Sequence, residues 1–236
     1  MPHPDSAAAP ARTPLTRDRI LEAAMGLADR SGIEALTIRR LATELDVKPM
    51  TLYHHVDGKE AVLDGMIDLV FTEIALPDQD LPWRDAVRGR CLSARTVLVR
   101  HPWSVPLMES RRSPGPATLR HHEAMLAHFL DAGMSLQLTA HAYAVIDSYV
   151  YGFAIQEANV PVQGAAGQED VTREIAAQFS PGEYPHLVRF AAEHVMRPGY
   201  RFGDSFEYGL DLLLDGLDAA AQAEAGTSAP GRAAAP

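Results

Sequence analysis

Apolar side chains recur at helical spacing along almost the whole chain, and this pattern constrains the fold more than any other feature. The alternation typical of β-strands is nearly absent. Because 47% of the residues are hydrophobic and 22% are charged, amphipathic helices of this kind can bury a core. We therefore expect an all-α fold. The first apolar stripe follows i, i+1, i+4, i+7 and i+8 and consists of Ile20, Leu21, Ala24, Leu27 and Ala28.

Several classes of protein are excluded by what the sequence lacks. Cys91 has no cysteine partner, so the chain is not a disulfide scaffold. No stretch approaches the roughly 18 apolar residues that span a membrane, so no membrane partner is expected. The N-terminus lacks a secretory signal, which favours a cytoplasmic protein. Residues 1–13 and 222–236 are rich in Ala, Pro, Gly and Ser, and this composition predicts disordered tails.

Capping residues mark the first helices of the chain. Thr16 can cap a first helix and Thr37 a second, because a hydroxyl accepts hydrogen bonds from free N–H groups at a helix start. Asp57 and Glu60 stand three residues apart, as in a capping box, and predict a fourth helix over about residues 58–75.

Pro77 and Pro82 follow that fourth helix and predict a domain boundary. The head would comprise residues 14–60 and the body residues 76–221, with the fourth helix as the link. The helices predicted in the body are Trp83–Arg100, Pro116–Ala132, Leu136–Asn159, Tyr184–Val195 and Gly203–Ala221. Residues 162–181 are predicted to form a loop with a short helix around residues 171–179.

Two short helices joined by the turn Asp46–Lys48 describe a helix-turn-helix. The second helix, Pro49–Val56, is barely two turns long and could not stand alone. We expect Pro49, Leu52 and Val56 to face the core. The side chains on its other face can contact base edges and phosphates in a major groove, so duplex DNA is the expected partner. The alternative is an ordinary surface helix that contacts only solvent. That face carries Met50, Thr51, Tyr53, His54 and His55.

The net charge of −10 argues at first against a nucleic-acid partner. Basic and acidic residues balance within residues 12–60, however, so almost all of the negative charge belongs to the rest of the chain. Lys48 and Lys59, the lysines of this protein, both lie in that neutral block. The charge distribution is therefore compatible with a DNA-binding head and an acidic body.

The stretch from Gly32 to Met66 resembles the DNA-binding head of the tetracycline-repressor (TetR) family of bacterial transcription regulators. Asp46 stands where the family usually has glycine, and a left-handed conformation is tolerable for Asp. The matching residues are Gly32, Thr37, Arg39, Leu41, Ala42, Leu45, Val47, Thr51, Leu52, Tyr53, His55, Val56 and Lys59.

This resemblance implies DNA-binding roles for residues of the head. Thr37 and Arg39 would contact phosphates or flanking bases. Four residues would approach base edges: Lys48, Met50, Thr51 and Tyr53. Three would hold phosphates on either side of the groove: His54, His55 and Lys59.

The stretch from about Trp103 to Asp218 resembles the body of the tetracycline-repressor subgroup. The resemblance implies a homodimer held by a four-helix bundle, with Leu136–Asn159 and Gly203–Ala221 contributed by each subunit. The residues expected at the dimer interface are Tyr149, Phe206, Leu210, Leu213, Leu214 and Leu217.

The resemblance also implies a pocket for a small-molecule effector in each body. Drug-binding members hold a magnesium–tetracycline chelate with a His where this chain has Pro106, and a nearby carboxylate aligns with Glu157. Without the His, the effector is expected to be another small, partly apolar molecule or to be absent, and no metal or cofactor is expected. Small-molecule pockets are lined by large apolar side chains with a few polar groups among them. On this basis the residues expected to line the pocket are Met66, Val70, Trp103, Met125, Tyr143, Asp147 and Tyr151.

The sequence predicts a ligand-responsive repressor that binds a pseudo-palindromic operator as a homodimer. One alternative is a regulator of the same fold that responds to no ligand. Another is an α-helical metal-dependent enzyme using Asp211, Asp215 and Asp218, although a solvated stripe explains them more simply. His121, His122 and His128 share a helix but form no i, i+4 pair, so they do not predict a chelate, and no catalytic motif is present.

Overall fold

The computed structural model describes residues 14–111, 113–160 and 182–228. All the regular elements in these ranges are helical, which confirms the predicted all-α fold. The tail predicted over residues 1–13 and the loop predicted across residues 162–181 lie outside the described residues. The helices are α1 (Arg17–Ser31), α2 (Ile38–Glu44), α3 (Pro49–Leu52), α4 (Gly58–Glu73), α5 (Trp83–Arg100), α6 (Val105–Met108), α7 (Pro116–Asp131), α8 (Leu136–Asn159), α9 (Pro185–Phe190) and α10 (Ser205–Ser228).

Short turns of tighter or wider helix join some of these elements. Single 3₁₀ turns cover Ile33–Ala35, Pro102–Ser104 and Phe202–Asp204. A π-helical turn, Ala191–Val195, continues α9. Together α9 and this turn occupy the region of the helix predicted from Tyr184 to Val195.

The first two helices begin as predicted. Thr16 accepts a hydrogen bond from the backbone N–H of Arg19 at 3.2 Å, and Thr37 accepts one from Arg40 at 3.1 Å. The capping box predicted for α4 is wrong, since the Asp57 side chain caps nothing. Glu60 instead forms an ion pair with Arg111 at 2.7 Å, so this carboxylate connects α4 to the body.

The C-terminal helix extends beyond its predicted end. Residues 222–228, expected to be part of a disordered tail, continue α10. Glu224 accepts hydrogen bonds from the backbone N–H and hydroxyl of Ser135, at 3.1 and 2.8 Å. Because Ser135 is the N-cap of α8, these bonds attach the last turns of α10 to the body.

The long helix α4 packs on both parts of the molecule, against α1 and against α7. Gly65 lets α4 approach α1, because a Cβ there would lie 2.7 Å from the side-chain carbons of Leu21. The buried core is continuous from the head into the body. The predicted boundary between head and body therefore stays a prediction, with α4 shared by both.

Ion pairs tie α10 to α5. Arg88 contacts Asp211 at 2.7 Å and Glu207 at 2.8 Å, and Arg84 pairs with Asp215. The acidic residues of α10, interpreted from sequence as a solvated stripe, thus include two that pair with arginines across a helix interface.

Aromatic packing joins α8 to α10. Tyr149 stacks on Phe206 with a centroid separation of 5.4 Å, and its hydroxyl donates to the Phe206 carbonyl at 2.8 Å. A Cβ at Gly209 would overlap the Tyr149 ring, so glycine is required for this close approach. No helix in the described ranges combines the length and apolar character needed to span a bilayer.

Candidate nucleic-acid interface and buried body cluster

The turn between α2 and α3 is a Schellman motif built around Asp46. Val47 donates its N–H to the Ala42 carbonyl at 2.9 Å, and Asp46 donates to Thr43 at 3.1 Å. Asp46 has φ 52°, the left-handed conformation expected of it. This turn directs the chain out of α2 and into α3.

The segment after the turn is held by two buried side chains. Leu52 is fully buried and Val56 is 5% exposed, both within the core that includes Leu41. The α-helix ends at Leu52, four residues before the predicted end, and residues 53–55 continue as turns. Pro49, expected to face the core, is exposed at the start of the helix.

The remaining side chains of this α3 segment, residues 49–55, project into solvent. Met50 is 70% exposed and Tyr53 is 49% exposed, although both are large and apolar or aromatic. His54 and His55 are also exposed, and Thr51 is half-buried. Large apolar and aromatic side chains gain free energy when another surface covers them and removes them from water. The exposure of Met50 and Tyr53 is therefore typical of a binding face.

Arg39, Lys48 and Lys59 are exposed around the α3 segment. Within the described part of the chain, none of the three pairs with a carboxylate. In contrast, Arg30 on the same head binds Glu44 at 2.7 Å. The three cations are therefore available to phosphate, together with the hydroxyl hydrogen of Thr37, whose oxygen caps α2.

A polar cluster lies inside the body, between α5, α7 and α8. Thr139, Tyr143, Asp147 and Tyr151 recur every four residues and share one face of α8. Arg90 faces them from α5, with its Nη1 atom 3.7 Å from Asp147 Oδ1. We name the Arg90 cluster by its ionisable residues, which are Arg90, His121, His122, Tyr143, Asp147 and Tyr151.

Burial controls the protonation of this cluster. It raises the pKa of Asp147, with the charge of Arg90 opposing the shift. It raises the pKa of Tyr151 to about 12, and the pKa of Tyr143 rises for the same main reason. It lowers the pKa of His121 to about 4, helped by the positive charge of Arg90. Both phenols and His121 are therefore neutral near pH 7.

The cluster holds three of the predicted pocket residues: Tyr143, Asp147 and Tyr151. Met125 is buried on α7 one helical turn after His121, and Met66 and Val70 are fully buried on α4. Whether these residues line a pocket stays a prediction. Trp103 has a different environment, since its indole N–H donates to Asp29 of α1 at 2.6 Å.

Sequence reasoning missed Arg90, His121 and His122 as members of this site. A signal for Arg90 was present, because Ala86, Val87 and Ala94 place it on the apolar face of α5. An arginine on an inward helix face is rare unless it is paired. His121 and His122 carry no sequence signal that separates a place in this cluster from an ordinary surface position.

The two positions compared with the drug-binding members of the family have other surroundings in this protein. Glu157 binds Arg95 through both carboxylate oxygens, at 2.6 and 2.9 Å, and is buried. Pro106, in place of the His, is exposed in α6. In the described ranges, no three His, Cys, Asp or Glu side chains converge as metal ligands.

Most of the residues expected at a dimer interface are used within the subunit. Phe206, Leu210 and Leu214 are fully buried, Leu217 is 9% exposed, and Tyr149 packs on Phe206. These side chains face α5 and α8 because amphipathic helices turn their richest apolar stripe inward. A different set of large apolar residues is exposed on α8 and α10, and none of them was predicted at the interface: Leu136, Val145, Ile155, Tyr208 and Leu212.

A junction of ionic groups connects the head to the body. His101 contacts Asp29 of α1 at 2.8 Å through Nδ1 and Glu73 of α4 at 3.2 Å through Nε2. Glu73 also pairs with Arg100 at 3.0 Å. The end of α5 therefore contacts α1 and the last turn of α4 at one point.

Two family models match successive parts of the chain. Residues 20–66 match the family model for bacterial regulatory proteins of the tetR family. Residues 76–221 match the model for the tetracyclin repressor-like C-terminal domain. The HTH-type transcriptional repressor DrrR1 of Streptomyces coeruleorubidus is 32% identical over 240 residues, covering 96% of this chain and 87% of that protein.

Solved structures with ligand and with DNA have the same fold. The Streptomyces coelicolor TetR family protein ActR in complex with actinorhodin has a TM-score of 0.72 and 28% identity, covering 89% of this chain and 99% of that chain. BioQ with its natural double-stranded DNA operator has a TM-score of 0.62 and 25% identity, covering 87% and 99%. From its helix-turn-helix, its helical body and these matches, the chain belongs to the TetR family of bacterial transcription regulators.

Proposed function

We propose that this protein is a transcriptional repressor that binds a pseudo-palindromic DNA operator as a homodimer and is released by a small molecule. The observation that carries the proposal is the exposed α3 segment, held on a buried brace of Leu52 and Val56. DrrR1 is named a repressor, and BioQ and ActR were solved with an operator and a small molecule. Its site of action would be the cytoplasm, where operator DNA is found.

DNA reading is assigned to the α3 segment and its cationic surroundings. Thr51 and Tyr53 offer hydroxyls to base edges, and Met50 offers an apolar contact to a thymine methyl group. Lys48 can approach base edges from the start of α3. Residues Thr37, Arg39, His54, His55 and Lys59 would contact phosphates and fix the register of the segment in the groove.

The homodimer is assigned to the outward faces of α8 and α10. Val145, Ser148 and Ile155 are exposed on one stripe of α8, with half-buried Gly152 between them at helical spacing. Tyr208, 72% exposed, and Leu212, 56% exposed, are four residues apart on α10. Pairing these stripes across a twofold axis makes a four-helix bundle and covers side chains that are otherwise solvated.

Effector binding would reach the head through α4. Phe71 of α4 contacts the rings of His121 and His122, with centroid separations of 5.5 and 6.2 Å. His122 in turn hydrogen-bonds to Tyr143 of the Arg90 cluster. A ligand that prefers one position of these rings by a few kcal/mol would shift α4 and change the spacing of the recognition segments.

The ligand-independent alternative differs from this proposal in one measurable property. A repressor with a functional pocket gains thermal stability from its ligand, because a molecule that binds only the folded state raises the melting temperature. The metal-dependent enzyme has less support, since Asp211 and Asp215 pair with arginines of α5 and the relatives are named regulators. Replacing both with Asn would abolish such an activity but leave operator binding in place.

The proposed function is tested by isolating the DNA fragments that the full chain retains from the genome that encodes it, and by footprinting them. We expect a short inverted repeat whose half-site centres lie roughly 34–36 Å apart on one face of the duplex. Uniform retention of unrelated fragments, or protection of a single unrepeated site, contradicts a dimeric operator-binding repressor.

A further inference from the structure

We propose that the Arg90 cluster binds the effector through an anionic oxygen, so that the effector is a small organic acid. This inference rests on the proposed function, because it names the chemistry of the molecule that would release the operator. It concerns the residues of this chain inside the body, which neither the DNA interface nor the dimer interface uses.

Arg90 carries the inference because its charge is buried without enough partners. Its side chain is 1% exposed at the middle of α5. Two of its donor atoms, Nε and Nη1, make no hydrogen bond within the described part of the protein. Buried donors are almost always paired, and an unpaired charged donor is the more costly case. Within the described residues, this deficit favours an acceptor that a ligand supplies.

Asp147 does not supply that acceptor. Its Oδ1 atom lies 3.7 Å from Arg90 Nη1, beyond hydrogen-bond distance. Burial raises the pKa of Asp147 and so disfavours its anionic form. Glu109 also acts on Asp147 and Tyr151, but it is exposed. Among the described residues, Arg90 therefore has no carboxylate within hydrogen-bond distance.

The neighbours of Arg90 suit an anion that lacks its own hydration. Burial keeps the phenols of Tyr143 and Tyr151 protonated, so each hydroxyl can donate to an oxyanion. His121, with its pKa lowered to about 4, adds no competing charge, and its Nδ1 atom also makes no hydrogen bond in the described ranges. In such a site a charge-assisted hydrogen bond is stronger than one in water.

The Arg90 cluster also contacts residues that pack on α4, the helix that leads to the DNA-binding head. Tyr143 hydrogen-bonds to His122, and the rings of His121 and His122 contact Phe71 on α4. An anion that draws Tyr143 toward Arg90 would therefore move a partner of α4. This arrangement separates the Arg90 cluster from the pair of Arg95 and Glu157, in which both charges are already satisfied.

The test compares two aromatic probes of nearly equal shape, 1-naphthoate and its uncharged amide 1-naphthamide, by calorimetric titration of the full chain. We expect the wild-type protein to bind naphthoate at least tenfold more tightly than naphthamide. Arg90→Gln should reduce this preference to less than twofold. Arg88→Gln is the matched control, because Arg88 lies on the same helix but pairs with α10, and it should keep the tenfold preference.

Two near-isosteric variants keep the test decisive if Arg90→Gln does not fold. Tyr143→Phe and Tyr151→Phe remove one hydroxyl donor each and retain the cation, so at least one should weaken naphthoate three- to tenfold and leave naphthamide unchanged. The assignment is overturned if the wild-type protein binds neither probe or binds both equally. It is also overturned if Arg90→Gln keeps the preference for naphthoate over naphthamide, or if both phenylalanine variants bind naphthoate as tightly as wild type. Operator binding without any probe reports on the repressor function separately.

Discussion

At the scale of single residues, burial decides which side chains of the body carry charge. His121 is 4% exposed on α7, next to Phe71 and near the positive charge of Arg90. Desolvation and that charge both oppose a second proton on the ring. The folded protein therefore favours neutral His121, whereas the unfolded chain binds a proton at the ordinary pKa of a histidine.

This difference predicts a pH-dependent stability. The contribution is fully present above pH 6.5, the unfolded pKa, and is lost as the pH falls toward about 4, because protons then bind preferentially to the unfolded chain. Between pH 7.5 and pH 5 wild-type protein should lose about 2 kcal/mol more stability than His121→Gln, measured by urea unfolding. The exposed His141→Gln should behave like wild type, and equal losses in all three proteins would contradict the assignment.

Residue-level predictions succeeded where the cause is local. Thr16, Thr37 and Asp46 act within a few residues of their own positions. Local patterns identified the two threonines, and the family resemblance pointed to Asp46. The Asp57 cap failed because Glu60 is drawn to Arg111, a partner 51 positions away. The state of Arg90 likewise depends on α7 and α8, which no local pattern reveals.

At the scale of elements, α4 is attached to the body along its length. Asp68 accepts hydrogen bonds from the N–H and hydroxyl of Thr118, at 2.9 and 3.1 Å, and so satisfies the first turn of α7. Gly115, just before α7, lets Asp68 approach this closely. The contact fixes the start of α7, the helix that carries His121 and His122, against the helix that leads to the head.

Gly115→Ala should therefore destabilise the protein, because its methyl group would overlap the Asp68 carboxylate. We expect a loss of about 1–3 kcal/mol in the free energy of unfolding, the usual cost of overpacking with a weakened cap. Gly89→Ala is the matched control: its Cβ meets open space in the middle of α5, so it should gain about 0.5–1 kcal/mol. Urea unfolding of both variants checks the pair, and a Gly115→Ala protein as stable as wild type would refute the close contact.

The ends of a helix could be predicted where the apolar repeat runs over many residues. They could not be predicted where a contact with a distant part of the chain determines the last residue. The predicted bounds of α5 and α8 match the structure. The α3 helix is shorter than predicted. Leu52 and Val56 are both anchored in the core, and the chain between them forms turns at residues 53–55 in place of another turn of α-helix. The end of α10 depends on Glu224 reaching Ser135, a contact between distant positions.

At the scale of the whole molecule, the inner stripe of α10 builds the subunit and the outer stripe is left for a partner. Periodicity identified α10 as amphipathic, but a single sequence does not reveal whether its leucines face their own subunit or another. The structure places Leu210 and Leu214 inside and Leu212 outside. The homodimer proposal consequently rests on Tyr208 and Leu212, with the stripe of α8 beside them.

Leu212→Glu should convert the proposed dimer to a monomer, because it would place buried charges near the twofold axis of the bundle. Sedimentation velocity at micromolar concentration gives the readout. Leu119→Glu, at a 53% exposed position of α7, should remain dimeric. A Leu212→Glu protein that sediments as the wild-type dimer would place the interface elsewhere.

The central claim, that the α3 segment reads the operator, is tested most directly by operator affinity measured across a range of salt concentrations. Tyr53→Ala should weaken specific binding by about 1–3 kcal/mol, and Lys59→Ala should weaken binding to all sequences and reduce the salt slope by about 1. Arg189→Ala, an exposed arginine of the body, should change neither quantity. If Tyr53→Ala and Lys59→Ala both bind the operator with the affinity and salt slope of the wild-type protein, the α3 segment does not read DNA.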